Sequence, residues 1–120
     1  MESKIILREK EHCLKMSAAI PRIYRQTFNG DIITGMNDMQ ERLIPVPAEE
    51  RAFTPQEETM LENLAYLCHR HADPTQSDDI LQWLSQFEIG DVDNLIAAVI
   101  KLWNEDNIQL STAKKKTEEQ

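Results

Sequence analysis

Glycine is scarce in this chain: three residues among 120, at positions 30, 35 and 90. That leaves no glycine-rich loop able to cradle a phosphate. Cysteine is scarcer still, and two residues, Cys13 and Cys68, do not make a disulfide framework. A lone bridge would be unusual in a reducing compartment, so both are read as buried free thiols. Cations are outnumbered, with 13 Lys and Arg against 21 Asp and Glu, for a net charge of −8 and a pI near 4.8. Proteins that bind polyanions gather Lys and Arg on one face. The only dense basic run here, Lys114-Lys115-Lys116, is followed by Thr117 and two glutamates. The acidity also disfavours anionic membranes. No apolar run approaches the roughly 20 residues of a spanning helix. The opening Met1-Glu2-Ser3-Lys4 before Ile5-Ile6-Leu7 is too short and too soon charged for a secretion signal. A cytoplasmic location is expected, with neither nucleic acid nor membrane as partner.

What is present has the length of one domain, since domains commonly run to roughly 100–150 residues. Ile5-Ile6-Leu7 and Cys13-Leu14-Lys15-Met16, joined by Arg8-Glu9-Lys10-Glu11, predict a small N-terminal β-hairpin. A short helix across the charged residues is the competing reading, because the connection lacks Asn-Gly or Asp-Gly chemistry. Ile20, Ile23, Tyr24, Thr27 and Phe28 share one helical face, with Pro21 in the first turn. Gly30 is the expected left-handed stop. Asp31 can cap a second helix with Ile32, Ile33, Met36, Met39 and Leu43 on its apolar side.

Pro45-Val46-Pro47 begins a stiff, extended linker. Thr54-Pro55-Gln56-Glu57 then combines an N-cap, a first-turn proline and a glutamate that reaches back. The buried stripe of that helix is Met60, Leu61, Leu64, Ala65 and Cys68, ending before Pro74. A short helix follows Ser77-Asp78-Asp79, with Ile80, Trp83, Leu84 and Phe87 inward. Gly90-Asp91 starts the last helix. At about 100° per residue, Val92, Leu95, Ile96, Val99, Ile100, Leu102 and Trp103 cover an arc of roughly 160°. The expected fold is therefore mainly α (α+β): about five helices with the hairpin in residues 1–107, then a flexible polar tail over 108–120.

Chemistry-bearing clusters are few. Cys68-His69-Arg70-His71-Ala72-Asp73 has metal-ligand residue types, but zinc needs about four converging ligands. His69 and His71 are two apart on a helix and face different ways. They read as polar residues near a helix C-terminus, with no metal and no cofactor. Glu49-Glu50, Glu57-Glu58 and Asp78-Asp79 splay apart and suit solvation and capping. No nucleophile assembles from Ser17, Ser77, Ser85 and three scattered histidines, so an enzyme is not expected. Pro21-Arg22-Ile23-Tyr24-Arg25 is the best helix for a DNA groove, yet its acidic surroundings lack phosphate contacts. Arg22 and Arg25 read instead as surface ion-pair partners of Asp31 or nearby glutamates.

Methionines remain. Met36 and Met39, with Met60 and Trp103, fit a core, and methionine surfaces also accept varied partner helices. The arc on 92–103 is wider than one packing partner requires. Partner contacts are therefore expected at Met36, Met39, Leu95, Val99, Leu102 and Trp103, with a client and self-association equally compatible.

Four segments in order carry a family resemblance. They are Pro21-Arg22-Ile23-Tyr24-Arg25-Gln26-Thr27-Phe28-Asn29-Gly30-Asp31, Ala72-Asp73-Pro74, Trp83-Leu84-Ser85-Gln86-Phe87 and Leu102-Trp103-Asn104. Across residues 4 to about 104 the chain resembles the short tail assembly chaperones of long-tailed phages and prophages of Gram-positive bacteria. Asn29 before the glycine, Ser85 and the Cys68–His71 run depart from the family pattern. The resemblance implies a non-enzymatic protein that coats the tape-measure protein, with the major tail protein as a further partner. It implies residence in the host cytoplasm and absence from the mature virion. It also suggests that Lys114-Lys115-Lys116 is encoded by a slippery adenine tract, against a plain basic patch. The competing functions are a regulatory or DNA-associated phage protein and a structural tail-joining protein.

Overall fold

The computed structural model describes the backbone of residues 1–118 and the side chains through Glu105. An N-terminal antiparallel hairpin leads into five helices. Strands β1 (Glu2–Leu7) and β2 (Lys10–Lys15) pair from Glu2↔Lys15 to Leu7↔Lys10. The connection is thus two residues, Arg8 and Glu9, shorter than the four expected. Both take positive φ, 53° and 65°, as a tight turn between twisted strands demands. Neither is a glycine, so the turn is strained. Arg8 is tied down by Glu88 and by Nε donation to Asp91 Oδ2 at 2.9 Å.

Helix α1 (Ile20–Phe28) ends on Asn29, at φ 56° and ψ 40°. Asn29, not Gly30, therefore makes the left-handed stop; asparagine tolerates that region better than other side-chain-bearing residues. Asp31 caps α2 (Ile32–Leu43), accepting from Ile33 N at 3.0 Å and Thr34 N at 3.4 Å. Gly35 sits where α2 faces the Met60 side chain. A Cβ there would stand 2.5 Å from Met60 Sδ, so α2 lies close on the next helix.

The proline linker is not simply extended. Residues Ala48–Glu50 form a 3₁₀ turn. Arg51 folds the segment back by donating to Val46 O at 2.8 Å and Ile44 O at 3.2 Å. Helix α3 (Pro55–Ala72) opens with the expected reciprocal cap: Glu57 N donates to Thr54 Oγ1 at 3.1 Å, and Thr54 N to Glu57 Oε1 at 2.9 Å. Helix α4 (Ile80–Leu84) repeats the device with Asp79 and Gln82.

Helix α5 runs Ile89–Glu118. Its backbone thus continues past 107, where the polar tail was expected to begin; the side chains of that tail, and the lysine run, lie outside the described residues. Helix α3 is the centre of the molecule, packing on β2, α5, α1, α2 and α4. Its inner residues Leu61, Leu64, Ala65 and Cys68 are wholly buried among Leu14, Ile20, Ile32, Met36, Leu95 and Val99. Among the described residues no helix is long and apolar enough to cross a membrane.

Candidate functional site

The six residues expected to meet a partner lie in the core. Met36, Met39, Leu95, Val99, Leu102 and Trp103 are each no more than 6% exposed. This corrects the reading of a wide stripe as intermolecular. Helix α5 packs within the chain on α3 and β1 and is joined to the end of α2 by Gln40–Asn104, and these contacts bury most of the broad arc. Ile96 is buried with it, while Val92 and Ile100 are half-covered.

Free apolar surface sits beside the arc instead. One depression of about 340 Å³ is walled by Met39, Leu43, Ile44, Phe53 and Ile100, with Gln40, Arg51 and Asn104 at its edges. A second of about 430 Å³ is lined by Phe53, Ile96, Ala97 and Ile100, with Asp93 and Lys101 beside them. They share Phe53 and Ile100, and so follow one side of α5. Gln40 Nε2 donates to Asn104 Oδ1 at 2.5 Å across the first, holding the end of α2 against α5. Ile44 stands 70% exposed at its rim. Of the expected partner residues only Met39 reaches a wall of this groove. Sequence reasoning placed Ile100 on the apolar arc of the last helix but named neither it nor Ile44 nor Phe53 as a partner contact. The available signal was Ile44 itself, a large aliphatic residue entering a proline linker.

A second, polar cleft of about 320 Å³ lies at the other end of α3. It is bounded by β2, the end of α3, the 73–78 turn and α4. His69 stacks on Trp83 with ring centroids 4.8 Å apart and planes 18° from parallel. His12 meets Phe87 edge-on at 5.1 Å and lies 6.2 Å from His69. His12 is 3% exposed. Burial, then the charge of Lys10, holds His12 below the ordinary histidine value. Burial, then His12, does the same to His69, with Asp73 opposing. Both rings are therefore neutral near pH 7. His69 is accordingly part of an aromatic stack rather than a solvated helix end, which corrects its reading as a plain polar terminus. Among the described residues, both His69 nitrogens and Trp83 Nε1 are buried without a hydrogen-bond partner. A buried polar atom left so costs about 1–3 kcal/mol, which the area buried by the indole must offset.

His71 turns the other way and shares a 2.9 Å hydrogen bond with Ser17 Oγ. Burial pushes the Cys68 thiol up to about 12, so it stays protonated and unreactive. Among the described residues no three His, Cys, Asp or Glu side chains converge to hold a metal. Arg22 and Arg25 form no ion pair there either. Hydrogen bonds from Thr34 hold the Asp31 carboxyl below the usual range, with a smaller contribution from the charge of Arg25. Comparison with protein families, curated proteins and solved structures finds no match to this chain.

Proposed function

We propose that this protein is a tail assembly chaperone that binds an apolar helical stretch of a tape-measure protein and keeps it soluble until the tail tube encloses it. The observation that supports this reading is the groove along α5, apolar at Ile44, Phe53, Ala97 and Ile100 and open to solvent. A surface of this kind receives the apolar face of an amphipathic helix, anchored at three- and four-residue spacing. The net charge of −8 keeps the protein itself soluble while it carries an apolar client. The choice of client, and of the host cytoplasm as its location, rests on the resemblance carried by the ordered motifs from Pro21 to Asn104.

The test is co-expression with a phage tape-measure protein. The client becomes soluble and co-purifies with the native protein. The pairing is lost with Ile44→Asp, whose exposed position leaves the melting temperature unchanged. A client that is equally soluble alone and never co-purifies removes the proposal. Recovery of this chain in purified particles at stoichiometric amounts would support a tail-joining role instead.

A further inference from the structure

The polar cleft is where the N-terminal hairpin meets the end of α3, and its chemistry differs from the hairpin's aliphatic contacts and from the exposed ion pairs of Arg8 with Glu88 and Asp91. Leu7, Leu14 and Met16 dock the strands through aliphatic burial. His12 docks β2 through a titratable ring, against Phe87 and close to a second titratable ring that lies on Trp83. We propose that His12 and His69 form an acid-sensitive latch that fastens the hairpin to the helical body, so that protonating the pair loosens the hairpin while α3 and α5 stay folded.

The geometry makes the protonated pair costly. Two imidazolium rings 6.2 Å apart, largely shielded from water, repel each other more strongly than in solvent. The charged groups that face them do not compensate. Lys10 and Glu11 come from β2, Asp73 and Asp78 from the turn that follows α3; α4 and the residues just after it bring only uncharged Trp83 and Gln86. Lys10 adds to the repulsion. Asp73 Oδ1 is already accepting from Thr75, and Asp78 Oδ2 from Gln76 Nε2.

Both histidines have folded-state values below the ordinary 6.5, so the released hairpin binds more protons than the docked one. The stability conferred by docking is complete above that value and is lost as pH falls through it. Glu62 works in the opposite sense. Burial on α3, and then the charge of Glu58, raise its carboxyl, so proton uptake there favours the folded form. A two-stranded hairpin is marginal by itself, which makes it the unit expected to open first.

The experiment is amide hydrogen exchange on the full chain at pH 7.5 and 5.5, corrected for intrinsic rates. Opening of residues 2–15 should rise about tenfold or more, the effect of one pH unit of differential titration, while residues 61–68 keep their protection. His12→Leu combined with His69→Met should abolish that rise, and His71→Gln should leave it intact. Equal hairpin protection at both pH values in the native chain overturns the latch. So does a rise that survives in the double variant or disappears with His71→Gln. If the double variant fails to fold, imidazole proton shifts of the native protein decide the matter: His12 and His69 titrating at or above 6.5 overturn the proposal, and titration below it upholds it.

Discussion

The two ends of α3 solve the problem of a helix terminus in opposite ways. At the N-terminal end the capping groups are partnered: Thr54 and Glu57 cap each other, and Glu57 also receives Arg42. At the C-terminal end, stability comes from stacked rings, and three buried nitrogens on His69 and Trp83 have no partner among the described residues. The first end is a hydrogen-bond network at the surface, with an apolar groove nearby. The second is an aromatic cluster whose polar atoms are a cost. A helix can therefore be secured by satisfied polar geometry where water reaches it, and by area where water does not.

The comparison can be broken most forcefully at the aromatic end. Trp83→Ala removes a wholly buried indole and should cost about 3–5 kcal/mol, read from chemical denaturation. A loss under 1 kcal/mol would mean that the stack contributes little. Next in size is the close approach of α2 to α3. Gly35→Val drives a side chain into Met60 Sδ and should cost about 1–3 kcal/mol. Met60→Ala in the same chain should recover part of that loss. Thr54→Ala removes the reciprocal cap and should cost about 1 kcal/mol, with no change in the pH response of the hairpin. Smallest is Ile44→Asp, outside the core, which should stay within about 0.5 kcal/mol of the native protein. Thermal melts order the last two.

Acid separates the ends as well. Burial raises the Glu57 carboxyl, but the hydrogen bonds from Arg42 and Thr54 outweigh it, and the carboxyl lies below its ordinary 4.5. The stability it contributes is therefore present above that value and lost as pH falls below it. The histidine end weakens first, from about pH 6.5 downward. A melting temperature flat from pH 7.5 to 5.0 would contradict that order.

Much of this architecture was legible from local chemistry. Thr54-Pro55-Gln56-Glu57 announces its cap because the partners are three residues apart, and Asp31 does so for the same reason. Ile5-Ile6-Leu7 and Cys13-Leu14 mark the strands. Local rules also misplace things by one residue: Gly30 is the obvious stop, yet Asn29 fills the left-handed position. The candidate site was less legible. An apolar arc tells how many neighbours a helix needs, but not whether they belong to the same chain. Here elements of the same chain, α3 and β1 among them, supply them, so Leu95, Val99, Leu102 and Trp103 are interior. The meeting of His12 with His69 joins residues far apart in sequence through the register of a hairpin on a helix, and no spacing rule encodes it.

The central position of α3 sets a constraint on biosynthesis. The hairpin emerges from the ribosome before the helix against which β2 packs, which is complete only at Ala72. At ordinary elongation rates that wait lasts roughly 3–11 s. Throughout it the nascent strands carry Leu7, Leu14 and Met16 without the α3 surface that buries them, so a segment made before α3 can settle only after it.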